Sequence, residues 1–208
     1  NTAKYLVAQT RVATWLAEQA EEAGVEIYPG FAGAQIVWDE DANGHKRGIR
    51  GIVTNDIGLN KEGQPKDNYE PGMEFRAHIT LFAEGAHGSL SLKIMKELKL
   101  REEVGADPQT YGIGIKEVWR VKPENHEAGL VAHTMGHPLS TDTYGGSFMY
   151  HMDDNMVSLG LVVGLDYGNP YLSPYQEFQR MKHHPFFARV LEGGQCLAYG
   201  ARALNEGG

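Results

Sequence analysis

A glycine pair and an acidic glycine turn hold the residue types in this chain that could do chemistry. Tyr144-Gly145-Gly146-Ser147 offers backbone N–H and C=O groups with no Cβ over them, beside a phenol. That suits a flat ring whose carbonyl needs a donor in an otherwise apolar slot, although a Gly-Gly step alone reads more readily as a hairpin turn. In Leu81-Phe82-Ala83-Glu84-Gly85-Ala86-His87-Gly88-Ser89, an acidic residue and a glycine end an apolar run just before a helical pattern. Backbone at such a turn can approach a pyrophosphate or a ribityl chain at a helix N-terminus, and an ordinary β-to-α turn explains the same residues when the motif stands alone. Nine histidines invite a metal ion, above all His133 and His137 at i, i+4, with His183 and His184 further on. The spacing serves a metal only on a helix, and Gly136 and Pro138 break one, so no metal site is expected. Ser89 and Ser147 lack the strained G-x-S-x-G setting, and no catalytic side-chain nucleophile is expected either.

Composition narrows the partners. The 208 residues carry 19 basic and 27 acidic side chains, a formal charge of -8, which argues against nucleic acid. At 41% hydrophobic and 22% charged residues, the chain is of ordinary globular composition. A single cysteine, Cys196, excludes an internal disulfide and a four-thiolate iron-sulfur site made by this chain alone. The longest nearly apolar run, 156–165, falls far short of the ~20 residues that span a bilayer, which leaves contact with a membrane surface open.

The elements that must position these motifs read as follows. Apolar residues at helical spacing predict an amphipathic helix over 5–23 stopped by Gly24, then a short strand over 25–28. Strands over 35–38 and 49–54 flank a polar turn, and 55–72 is an exposed excursion closed by a strand over 73–77. The apolar run 79–83 has the composition of a buried parallel strand, followed by a helix over 90–98. From Asp107 the texture becomes strands at 111–121, 129–135, 146–151 and 157–165, then a helix over 173–181 with Ser173 as cap and Pro174 in its first turn.

The long segments Thr54-Asn55-Asp56-Ile57-Gly58-Leu59-Asn60, Tyr111-Gly112-Ile113-Gly114-Ile115-Lys116-Glu117-Val118-Trp119, Asp166-Tyr167-Gly168-Asn169-Pro170-Tyr171 and Tyr199-Gly200-Ala201-Arg202-Ala203-Leu204 resemble the electron transfer flavoprotein-ubiquinone oxidoreductase family. The 81–89 turn is similar to the second flavin motif of glutathione-reductase-type and hydroxylase-type FAD proteins. The resemblance implies an α/β fold with an α+β insertion: a partial FAD-binding domain plus an antiparallel-sheet ubiquinone-binding domain. It divides the chain as 1–106 in the FAD-binding domain, 107–199 in the ubiquinone-binding domain, and 200–208 returning to the first. It implies that Gly145 and Gly146, with Tyr144, contact ubiquinone, and that Glu84, Gly85 and Ala32 contact FAD. The tyrosines of 166–171 would line the quinone entrance or pack in the core, with equal weight. A valine at Gly146 would then expel the quinone ring and leave flavin content intact.

The same resemblance implies the activity of an electron-transferring-flavoprotein dehydrogenase. Electrons pass from reduced electron transfer flavoprotein through FAD and a 4Fe-4S cluster, whose ligands lie outside this chain, to ubiquinone at a membrane surface. The location would be peripheral, on the matrix side of the mitochondrial inner membrane or the cytoplasmic side of a bacterial one. The GxGxxG turn and the third flavin motif of such proteins are missing, so the chain reads as an internal fragment, inactive alone and unable to hold FAD tightly. The alternatives are a geranylgeranyl-reductase-like or hydroxylase-like flavin oxidoreductase, and a cofactor-free binding module.

Overall fold

A computed structural model describes residues 9–207, so the start of the expected 5–23 helix and Gly208 lie outside the described residues. Two compact units make up the chain, Asn1–Leu81 and Phe82–Gly208.

In the first unit, α1 (Gln9–Glu22) stops where Gly24 adopts a φ of 89° and its amide closes back onto the Glu21 carbonyl. The strands β1 (Gly33–Glu40) and β2 (Lys46–Thr54) form an antiparallel hairpin. Its turn is closed by Asp41, whose Oδ1 accepts from Asn43 N at 2.8 Å and His45 N at 2.9 Å. The excursion folds back as β3 (Ile57–Leu59) against β4 (Pro65–Glu70), and β5 (Glu74–Arg76) pairs with β2. Every buried apolar side chain of the core among the described residues lies at position 90 or later, outside this unit.

Two expected strands are absent. Neither 25–28 nor 79–83 takes strand geometry, and in the second run Ile79 is 79% and Leu81 88% exposed. An interior parallel strand needs a neighbour on each side to accept its backbone groups. All strand pairs among the described residues are antiparallel, and none includes either run. The parallel part of the expected α/β domain is therefore not formed here.

The second unit opens with the helices α2 (Ser89–Glu97) and α3 (Leu100–Glu103). Five antiparallel strands follow, with α4 (Pro174–Lys182) and α5 (Pro185–Leu191) between the last two. They are β6 (Tyr111–Arg120), β7 (Val131–Thr134), β8 (Gly145–His151), β9 (Met156–Gly164) and β10 (Gln195–Asn205), in the order β10-β6-β9-β8-β7. The period of two decides the faces. Val157, Leu159, Leu161 and Val163 of the central strand are at most 1% exposed and form one core with Phe178 and Met181 of α4 and Phe187, Val190 and Leu191 of α5. Their register partners Trp119, Glu117, Ile115 and Ile113 on β6 share that face. The opposite face is carpeted by glycine: a Cβ on Gly160 would sit 2.6 Å from the Phe148 ring, which lies flat on the sheet and stacks on Tyr150 at 4.8 Å.

Both new helices start on proline. Ser173 Oγ accepts from Gln176 N to cap α4, as the sequence predicts, and His184 Nδ1 accepts from Phe186 N at 3.2 Å to cap α5. Helix α4 is tied to β6 by a nearly buried ion pair. Lys182 Nζ lies 2.9 and 2.8 Å from the two Glu117 oxygens, Trp119 Nε1 donates to the same carboxylate at 2.6 Å, and Lys182 sits over the Phe178 and Trp119 rings. Replacing Lys182 by Met leaves Glu117 charged and unpaired against the core, so Lys182→Met is expected to lower the urea-unfolding free energy by ~3 kcal/mol. The double variant Glu117→Gln/Lys182→Met is expected to recover most of that loss.

A second buried group makes stability pH-dependent. His151 is 5% exposed; its Nδ1 accepts from Glu127 N at 3.0 Å, and its sealed Nε2 meets no partner among the described residues. Burial first, then the nearby His126, hold its pKa below the ordinary 6.5, while Glu127 acts the other way. The unfolded chain therefore takes up a proton at higher pH than the folded chain does. The contribution of neutral His151 is complete above 6.5 and falls away as the pH drops from there through the lower folded value. The urea midpoint should decline on acidification below 6.5, and His151→Asn, which keeps an acceptor toward Glu127 N, should flatten that decline.

Candidate functional site

The 144–146 segment sits where the sheet loses a strand. Gly145 and Gly146 pair with Val163 and Val162 of β9, whereas β7 ends at the partner of Ser147. Gly-Gly therefore begins a strand here, and the hairpin reading of the pair does not describe it. Close packing demands both glycines. A Cβ on Gly145 would stand 2.3 Å from Val162 O, and one on Gly146 would stand 2.6 Å from Thr134 O. Tyr144, just outside the strand, is 72% exposed.

The C-terminal end of β9 gathers the other polar groups. Gly164 N donates to Tyr144 O at 2.9 Å, and Leu165 N donates to Tyr111 O at 2.8 Å. A Cβ on Gly164 would meet Asp166 Oδ1 at 3.0 Å and the Tyr144 ring at 3.4 Å, so carboxylate and ring flank one bare backbone position. Of the tyrosines of 166–171, Tyr167 packs against the core and Tyr171 is 92% exposed.

In the acidic turn, Gly85 has a φ of 78°, and a Cβ there would meet no atom within 4 Å, which leaves its outer face open. Glu84 folds over Gly88, where a Cβ would lie 2.8 Å from the Glu84 Cβ. From there its carboxylate accepts from Leu90 N at 3.3 Å, and from Ser91 N and Ser91 Oγ at 2.6 Å each. Helix α2 has no side-chain cap of its own at Gly88, and Glu84 takes that role from outside the helix. Partial burial disfavours the charged carboxyl, and the hydrogen bonds from Ser91 and Leu90 outweigh it, so its pKa falls below the ordinary value. Ala32, the remaining expected flavin contact, lies in the first unit, where its carbonyl accepts from Asn55 N at 2.9 Å.

Two adjoining clefts lie within the second unit. One, of about 450 Å³, runs between the 82–86 turn with Ser91 and the 203–205 end of β10. The other, of about 500 Å³, is lined by His87, Leu92, Tyr111, Leu165 and Asp166, among others, and shares Ala86 and Ala203 with the first. Together the two clefts run from Glu84 and Gly85 to Asp166, whose carboxylate flanks Gly164 with the Tyr144 ring; Tyr144 and Gly145 themselves line neither cleft. Sequence reasoning missed His87, Tyr111 and Asp166 as site residues, because they come from three elements far apart in the chain.

The histidines do not assemble. The His133 and Tyr150 rings meet at a tilt, as do those of His137 and His184, each pair with centroids 5.5 Å apart. No group of three or more potential metal ligands occurs among the described residues. Likewise, no helix among them is long and apolar enough to cross a membrane.

The glycine geometry changes what a substitution at 146 reports. Because the clash would be with the Thr134 carbonyl, Gly146→Val is expected to push β7 off the sheet and cost ~2 kcal/mol or more in unfolding free energy, with or without ligand. Urea denaturation of the purified variant would measure this. An unchanged midpoint would show that β7 yields without cost.

Comparison with known proteins adds the family. Residues 111–204 match the family model for ETF-QO, ubiquinone-binding. The probable electron transfer flavoprotein-ubiquinone oxidoreductase, mitochondrial, of Schizosaccharomyces pombe is 57% identical over 208 residues, covering 100% of this chain and 32% of that protein. Its Saccharomyces cerevisiae counterpart is 55% identical over 204 residues, 98% of this chain and 31% of its own length. The human electron transfer flavoprotein-ubiquinone oxidoreductase, mitochondrial, is 51% identical over 210 residues, 100% of this chain and 33% of its own length. Among solved structures, a triple mutant of the flavin-dependent brominase Bmp2 superposes with a TM-score of 0.59 at 14% identity, over 98% of this chain and 45% of that one. That likeness shows a flavoprotein-like fold with a sheet domain. Spanning about a third of the length of the curated relatives it matches, the chain belongs to the electron transfer flavoprotein-ubiquinone oxidoreductase family.

Proposed function

We propose that this chain forms the quinone-reducing part of an oxidoreductase that passes electrons from reduced electron transfer flavoprotein to ubiquinone. The observation that carries the proposal is the pair of clefts running from the open Gly85 turn to Asp166, whose carboxylate lies with the Tyr144 ring against Gly164. Residues 1–106 and 200–208 belong to the FAD-binding domain in this reading, and 107–199 hold the quinone. The relatives' names support a mitochondrial location, and the reading adds peripheral attachment to the inner membrane on its matrix side.

The residues fit a flavin at one end of the groove. Gly85 and Ala86 present small, open backbone to it, with Glu84 beside them, and FAD would supply the electrons. They do not fit a 4Fe-4S cluster, since one exposed cysteine gives no thiolate set. At the other end, Gly145 and Gly146 begin β8 next to the exposed Tyr144. The flat head group of ubiquinone lies against them, and backbone donors stabilise the negative charge that grows on the carbonyl oxygen as electrons arrive. Exposed apolar side chains at Trp15, Leu16, Ile79 and Leu81 are the surfaces that the remainder of such a protein covers.

The test is a chimera in which this chain replaces the matching third of the Schizosaccharomyces pombe protein. It should reduce a short-chain ubiquinone with reduced electron transfer flavoprotein as donor. Exposed Tyr144 can be changed without disturbing the sheet, so Tyr144→Ala should raise KM for the quinone roughly fivefold, about 1 kcal/mol of lost contact, with flavin content unchanged. Equal kinetics in the two proteins would remove Tyr144 from the site.

A further inference from the structure

Quinone reduction needs protons as well as electrons, and the groove holds side chains able to bring them. Both carbonyl oxygens of the quinone become hydroxyls: two electrons enter the ring from the flavin and two protons come ultimately from water. On the quinone reading above, we propose that Asp166 and His87 deliver protons to ubiquinone. Asp166 hands its proton to the quinone oxygen, and His87 refills it from solvent across the cleft.

The placement rests on four observations. Asp166 Oδ1 and the Tyr144 ring lie against the same bare face of Gly164, within contact distance of a Cβ placed there. Gly164 N is bonded to Tyr144 O, so the Gly164 position that the carboxylate flanks is tied to the residue preceding the Gly145 backbone proposed to hold the ring. Among the described residues the Asp166 carboxylate has no hydrogen-bond partner, and it lines the same cleft as His87. The cleft is open, and its other walls are Ala86, Leu92, Leu165 and Ala203 together with Gln109, Thr110 and Tyr111. Electron transfer itself uses neither side chain.

The charge balance follows. As electrons enter, one quinone oxygen becomes basic and takes the proton of the Asp166 carboxyl, an O–H bond forming at the quinone as one breaks at Asp166, and the oxygen at the other end of the ring takes its proton from water. The carboxylate left behind draws a proton from the His87 imidazolium, and neutral His87 takes another from water. Histidine suits that second step because its charge changes near neutral pH. The other titratable groups facing this end of the sheet are Tyr111 on β6, Tyr144 before β8, and Glu206, whose Oε1 lies over Gly112, the register partner of Gly164.

The experiment uses the same chimera with two acceptors: a short-chain ubiquinone, which takes protons, and ferricyanide, which takes electrons only. Asp166→Asn keeps the side-chain shape and should slow ubiquinone reduction roughly 100-fold, with ferricyanide reduction and flavin content within twofold of the parent. His87→Gln should slow it roughly tenfold and shift the pH profile of quinone turnover, again sparing ferricyanide. The solvent deuterium isotope effect on quinone turnover should rise in both. Quinone turnover and isotope effect within twofold of the parent in Asp166→Asn would overturn the proposal, as would equal losses with both acceptors, which mark a structural role. A parent chimera that reduces ferricyanide but no ubiquinone would instead overturn the quinone reading itself.

Discussion

The burial of β9 is the constraint from which the second unit follows. Four aliphatic side chains on one face of this strand are sealed beneath α4 and α5, and its backbone is hydrogen-bonded to β6 on one side and β8 on the other. A strand held on three sides has one permitted register, because a slip of one residue would turn Val157, Leu159, Leu161 and Val163 out of the core. Its far end is thereby placed with little freedom. Gly164, Leu165 and Asp166 emerge from that end, and through their bonds to Tyr144 and Tyr111 they bring the starts of β8 and β6 to one point. The candidate site is thus the rim of the best-packed part of the molecule.

Glycine does two jobs at that rim. At Gly145, Gly146 and Gly160 the missing Cβ is needed by the protein itself, because a carbonyl or a ring already fills the space. At Gly85 it is not, since nothing stands within 4 Å. Both kinds look alike in the sequence. The difference decides which of them can be read as ligand contacts by substitution: a side chain at 146 meets the chain before it meets any quinone.

Helix α2 shows a similar sharing of function. Its first amides are satisfied by a glutamate six and seven residues upstream, which Gly88 leaves room to cross. The cap holds the acidic turn against the helix and shapes one wall of the groove. The carboxylate expected to contact the flavin therefore already has an architectural role.

The sequence alone determined the elements whose signals are local. Strand-like pieces separated by Gly and Pro placed β6, β8 and β9, the polar turn around Asp41 placed the first hairpin, and Ser173-Pro174 placed the start of α4. The long motifs carried the family. Strands over 25–28 and 79–83 were not decided locally, because an apolar run becomes a strand only when neighbours take up its backbone groups. Helix α5 passed unnoticed, as did the beginning of β10: the helix is seven residues long, and the strand, exposed along its whole length, lacks the alternation that burial imposes. The site was legible only in part. Tyr144, Gly145, Gly146, Glu84 and Gly85 stand in recognisable motifs, whereas His87, Tyr111 and Asp166 share a cleft only because the antiparallel register of β6 and β9 aligns Gly112 with Gly164. That alignment comes from packing between residues some fifty positions apart, which no local pattern encodes.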